Sequence, residues 1–141
     1  LVDATTDVRV AGYVAFLDAV EDPDAAIGVL ALPVDAERLA ALDVREANYA
    51  RHDVTGALAA VDGTPLPGRT WVYRGTPGGR ERARTGRREG SIVVGEAYVA
   101  AAREAFGAQP PGLPPFADTT APVDIPVRPL RVVAATDQLG W

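Results

Sequence analysis

The 141-residue chain contains no cysteine, no methionine and no lysine, and only one histidine. Without cysteine there is no disulfide framework and no thiolate-held zinc or iron–sulfur site. Without lysine, all 14 basic side chains are arginine, which together with the abundance of alanine reads as genome base composition more than as physics. The lone His52 lies in a strand-like run without clustered partners, so a metal site is not expected, nor any other cofactor. No apolar run approaches the ~20 residues that span a bilayer, so no membrane association is expected. The opening Leu1-Val2-Asp3 has neither the basic start nor the apolar stretch of a signal peptide. These absences fit a reducing, cytoplasmic setting. Position 1 is Leu rather than Met, and the chain is expected to be a piece of a longer protein.

What is present suits a globular domain, with 48% apolar residues and enough chain to bury a core. The net charge is −5 and the isoelectric point about 4.8, which argues against a general nucleic-acid binder. The charge is uneven. From Arg74 to Arg88 there are six Arg and one acid, net +5, while the remainder carries net −10.

Period-two apolar residues (Val8, Val10, Val14, Phe16) predict a strand over 9–17, and the continuous apolar run 27–32 predicts one covered on both faces. Asp35 is placed to cap a helix through Leu42, with Leu39 and Leu42 on its buried side and Glu37 in its first turn. Asp43 then resembles a second N-cap, giving one more turn through Glu46. A long strand is expected over 49–61, a turn at Asp62-Gly63 and a return strand over 70–73. The glycine- and arginine-rich 75–90 reads as a mobile loop with one helical turn near 80–84. Ser91 is placed to cap a helix over 92–106 that stops at Gly107. Residues 109–129 are dense in proline, and 127–134 could add an edge strand. Hairpin-linked strands mixed with two helices predict an α+β fold, a mostly antiparallel sheet curled into a small barrel with two flanking helices. The domain is expected over 1–107, with a proline-rich C-terminal extension over 108–141.

Among residues able to do chemistry, Glu46 stands first, at a helix-to-strand junction three residues before Tyr49. From spacing alone, Asp43-x-x-Glu46 is most simply a capping box. A carboxylate walled by aromatics at a barrel lip would instead have a raised pKa and serve as a general base. Tyr49 and Tyr73 could turn hydroxyls toward a substrate or be ordinary aromatics with a wet tip. The run 80–88 could meet an acidic or phosphorylated partner, although a solvated lid is the commoner meaning of such a sequence. The glycines at 75–79 lack P-loop spacing.

Leu42, Asp43 and Glu46 resemble the LDxxEG signature of the γ-glutamylcyclotransferase-like family, with Ala47 where Gly is usual. Tyr49 and Val54 keep the interval of the strand that follows it. Residues 27–30 resemble the family's GxL strand, Trp71-Val72-Tyr73 its aromatic return strand, and 92–106 with Tyr98 its closing helix. The resemblance implies an enzyme with Glu46 as catalytic acid/base and Tyr49 and Tyr73 in substrate binding, without a cofactor. Its substrate would be a small γ-glutamyl amine or peptide. The substrate's own α-amine attacks its γ-carbonyl, releasing 5-oxoproline and an amine, so the protein need supply no nucleophile. The sequence departs from the family in one respect. Nothing in residues 1–12 matches the Tyr-Gly-Ser loop whose backbone N–H groups hold the substrate carboxylate. That absence motivates the alternative, a non-catalytic binding or interaction domain on the same fold. A homo-oligomer is compatible with either.

Overall fold

The structure, a computed structural model, describes residues 1–107 and 112–133. The described chain is mixed α+β and divides into two compact units. Of the described residues, unit 1 takes Leu1–Phe16, 82–107 and 115–133, and unit 2 takes Leu17–Glu81 and 112–114.

In unit 1, strand β1 (Val2–Asp3) pairs antiparallel with a strand near the C-terminus, and β2 (Tyr13–Ala15) lies parallel to a central strand, Ile92–Gly95. Unit 2 holds helix α1 (Ala36–Arg45) and the antiparallel pair β3 (Tyr49–Asp53) and β4 (Trp71–Gly75). Helix α2 (Pro77–Glu89) follows, then the central strand itself, β5 (Ile92–Gly95), and helix α3 (Glu96–Gly107). The chain ends its described course with the single turn α4 (Phe116–Thr119), β6 (Val127–Arg128), which lies parallel to β5, and β7 (Leu130–Arg131), the partner of β1. The strands thus form three small sheets, one of them parallel, and do not close a barrel among the described residues. Four helices are described where two were expected. No described helix is long and apolar enough to cross a membrane.

Several local expectations are corrected by identifiable causes. The 75–90 segment is helical because both its ends are capped. Pro77 takes the first helical position, where its missing N–H costs nothing, and the Thr76 hydroxyl accepts the Gly79 N–H at 3.0 Å. At the other end Gly90 adopts a φ of 65°, the Gly90 N–H donates to the Arg87 carbonyl and the Ser91 N–H to the Gly86 carbonyl. This is the Schellman arrangement, for which glycine suits the left-handed residue. The β-branched run Ile92-Val93-Val94 is a strand rather than the start of a helix, and α3 begins four residues later than expected. The apolar run 27–32 has no regular structure. The strand after Tyr49 stops at Asp53, ahead of Gly56, which turns at a φ of 84°. The expected edge strand appears as β6 and β7 on either side of Pro129; residue 134 lies outside the described residues.

The described core is small. Ile92 and Val94, alternate residues of β5, are its buried apolar side chains. The α2 backbone closes over Ile92 at Gly86, where a Cβ would lie 2.8 Å from the Ile92 Cβ and 2.9 Å from Tyr13 Cδ2. Phe16 meets Tyr98 edge-on at 5.1 Å between centroids, and Phe106 stacks on Phe116 at 4.5 Å. Replacing a helix-interior glycine by alanine ordinarily gains stability through helix propensity. At Gly86 the overlap reverses the sign: Gly86→Ala is expected to destabilise unit 1 by about 1–3 kcal/mol. Gly107→Ala, at a helix end with nothing within 4 Å of the added methyl, serves as the unstrained control. Chemical denaturation of the two variants against the parent checks this.

Candidate functional site

Glu46, Tyr49 and Tyr73 all lie in unit 2, so the site is built from α1 and the β3–β4 pair, whereas the arginine run from Arg82 to Arg88 belongs to unit 1. The Asp35 side chain accepts the Arg38 N–H at 2.7 Å and starts α1, as its position suggested. The helix then runs through Asp43 without interruption, so Asp43 is not a second N-cap. It is a helical residue whose carboxylate points at the strands. Glu46 is the C-cap, its N–H bonded to the Leu42 carbonyl, and the chain turns into β3 through a bond from the Tyr49 N–H to the Glu46 carbonyl.

The strand register decides which side chains meet. Tyr49 faces Gly75, Arg51 faces Tyr73 and Asp53 faces Trp71. Directly opposed residues share a sheet face, and alternate residues return to it. One face therefore carries Tyr49, Arg51, Asp53, Trp71 and Tyr73. The other carries His52 opposite Val72 and Ala50 opposite Arg74.

On the first face, a chain of polar and aromatic contacts runs from helix to strand end. The Tyr73 hydroxyl donates to Asp43 Oδ1 at 2.6 Å, and Arg51 Nη1 pairs with Asp43 Oδ2 at 3.2 Å. The Arg51 guanidinium lies 4.7 Å from the centre of the Trp71 ring and that of Arg69 lies 4.4 Å from it, both in cation–π range. Arg69 in turn pairs with Asp53 at 2.7 Å. The Tyr73 phenol is held above its ordinary pKa, first by desolvation and then by the adjoining Asp43 carboxylate. The Asp53 carboxyl is lowered to about 2, chiefly by the Thr55 hydroxyl and then by Arg69, which both favour its charged form.

The sequence-derived residues are each committed within the unit. Glu46 Oε1 accepts from Arg45 Nε at 2.9 Å and Nη2 at 2.6 Å, and its side chain is 24% exposed. The Tyr49 hydroxyl donates to the Leu17 carbonyl at 2.8 Å, and the Tyr73 hydroxyl is on Asp43. Their oxygens thus engage three different partners. Asp43 was read from sequence only as a cap and a signature residue, and Arg51, Arg69 and Asp53 were not singled out, although the alternation Tyr49-x-Arg51-x-Asp53 against Arg69-x-Trp71-x-Tyr73 carries the signal once the two strands are paired.

A second polar cluster lies at the far end of β4. Asp18 Oδ1 accepts the Gly75 N–H at 2.7 Å, and Asp18 Oδ2 accepts from Arg80 Nε at 2.7 Å. Arg80, expected in a loose lid, is thereby fixed in the first turns of α2. His52 is exposed, and no group of three or more potential metal ligands occurs among the described residues. No family model, no curated protein and no solved structure matches the chain.

The lowered Asp53 pKa links the hairpin's stability to pH. A carboxyl depressed in the folded state contributes stability above its unfolded pKa and loses it as pH falls through the folded value. The contribution is expected to be complete above the ordinary 3.8 and to vanish as pH approaches about 2. Asp53→Asn should flatten that part of the melting-temperature profile, with little pH dependence of the difference between variant and parent above pH ~5.

Proposed function

We propose that the chain is a non-catalytic interaction domain whose β3–β4 face receives a second copy of the same face. The observation that carries this is the Arg51–Trp71–Arg69 stack with Asp43 and Asp53 at its sides. Tryptophan, tyrosine and arginine dominate the energetics of protein interfaces, and here they share one sheet face. Two cations flank the indole, and an anion lies beyond each of them. Because it carries both signs of charge, the face can offer opposite charges to a second copy of itself, the self-complementarity that a symmetric dimer needs. The outer pair is open to water, with 71% of the Arg69 side chain and 39% of the Asp53 side chain exposed. Such pairs contribute only ~0–1 kcal/mol, so exchanging partners across an interface costs little.

A second reading follows from one observation, the position of Glu46. Its carboxylate is three-quarters shielded at the junction of α1 and β3, three residues before Tyr49. On that reading α1 and β3–β4 correspond to part of a γ-glutamylcyclotransferase-like barrel, in a cytoplasmic enzyme. Glu46, released from Arg45, takes a proton from the substrate's ammonium and returns one to the leaving amine, while Tyr49 and Tyr73 contact the substrate.

Two measurements separate the readings. Sedimentation velocity over a concentration series is expected to show a reversible dimer, and Trp71→Ala to raise its dissociation constant by ~30-fold or more, as loss of a central anchor does. A parent that stays monomeric throughout excludes the interface. Release of 5-oxoproline from a γ-glutamyl dipeptide panel, abolished by Glu46→Gln, would instead establish the enzyme.

A further inference from the structure

Segment 17–21 has no regular structure, yet polar contacts tie it to its neighbours in unit 2. Besides the two Asp18 bonds, Arg80 Nη2 donates to the Ala19 carbonyl at 3.3 Å, Arg74 Nη1 pairs with Glu21 Oε2 at 3.1 Å and the Tyr49 hydroxyl reaches the Leu17 carbonyl. The centre of this arrangement is the Asp18 carboxylate. One oxygen rests on a backbone N–H and the other on a guanidinium, the two-point recognition that suits a planar anion.

Both donors stand on regular elements. Gly75 ends β4 in register with Tyr49, and the Arg80 N–H is bonded to the Thr76 carbonyl in the first turn of α2. The absence of a side chain at Gly75 is what admits the carboxylate. A Cβ there would lie 2.6 Å from Asp18 Oδ2 and 3.0 Å from its Cγ. The cradle is therefore shaped by β4 and α2, and the group inside it is delivered by an irregular segment. Asp18 and Arg80 keep 25% and 32% of their side-chain surface exposed, so the cradle opens to solvent.

We propose that the Gly75 N–H and the Arg80 guanidinium form a carboxylate-binding site that Asp18 fills in cis, and that an external carboxylate displaces Asp18 and releases segment 17–21. The ligand is a carboxylate because both observed donors are satisfied by one planar two-oxygen group. Its sources are a small organic acid or the free C-terminus of a peptide, which present the same atoms. The site is separate from the β3–β4 contact face proposed above and does not depend on it.

Asp18→Ala empties the cradle while leaving both donors. Melting of this variant in sodium acetate against sodium chloride of equal ionic strength is the test. Acetate at ten times its dissociation constant is expected to raise the melting temperature by about 4 °C over chloride, as linkage requires of a ligand held only by the folded chain. The double variant Asp18→Ala, Arg80→Ala should lose that difference. A short peptide with a free C-terminus, compared with its amide, then assigns the source: stabilisation by the free acid alone indicates a peptide carboxylate, and stabilisation by acetate alone a small acid. Equal melting of Asp18→Ala in all these solutions overturns the proposal. If Asp18→Ala does not fold, Asp18→Asn retains the side-chain volume with a weaker occupant. Acetate should then shift the Gly75 amide resonance where chloride does not, and an unmoved resonance is equally decisive against the site.

Discussion

Asp43 joins helix to strands in unit 2. From one turn of α1 it takes the Tyr73 phenol on one oxygen and Arg51 on the other. Among the described residues of unit 2 no apolar side chain is buried, so this join has no oily layer beneath it to share the work. Leu39 and Leu42 are only half-covered by their surroundings. The consequence is geometric. Apolar contacts tolerate sliding, whereas a charge-assisted bond of 2.6 Å and a guanidinium pair fix distance and angle together. The register of β3 on β4 places Arg51 across from Tyr73, and α1 must present Asp43 between them. Trp71 is then fenced by Arg51 and Arg69 because those arginines are already anchored through Asp43 and Asp53.

Unit 1 is held by different physics. There the β-branched strand β5 sits between β2 and β6, and its alternate residues Ile92 and Val94 are covered. The Gly86 contact brings the backbone of α2 against that strand more closely than any side chain would allow. Volume is the constraint in unit 1 and bond direction the constraint in unit 2.

The sequence was most legible where a short-range rule decides structure. Asp35 before Ala36 reads as an N-cap and is one; the β-branched and aromatic Trp71-Val72-Tyr73 reads as a strand and is one. Composition misled over 75–90. Five arginines and several glycines there suggest solvated loop, but Pro77 at the first helical position and Gly90 just beyond the last are the stronger information, because they act on the helix ends where backbone groups lack partners. The apolar run 27–32 misled in the opposite direction. A strand needs neighbours to bond with, and periodicity says nothing about whether the fold supplies them: Leu30 is 83% and Leu32 66% exposed. The candidate site was legible in its residues but not in its pairings. Glu46, Tyr49 and Tyr73 do fall in one unit, yet the partners of each follow from register and from helix phase. The difference between Asp43 as a cap and Asp43 as a helical residue aimed at Tyr73 lies in whether α1 pauses at Leu42, which tertiary contact decides rather than spacing.

The two carboxylates tied to β4 show why one of them can be exchanged and the other cannot. Asp43 and Asp18 each bind two donors, one of them an arginine. Asp43 belongs to a helix whose hydrogen bonds run on either side of it, so withdrawing it either strains α1 or leaves Tyr73 and Arg51 without their shared acceptor. Asp18 belongs to a segment without a helix or strand to break, and its departure costs the local contacts of 17–21 and returns chain entropy to that segment. What remains behind, a guanidinium and a strand-end N–H over a glycine, is still held by β4 and α2. An occupant with weak ties to its own backbone and a receptor with strong ones is the arrangement from which competition by a second carboxylate follows.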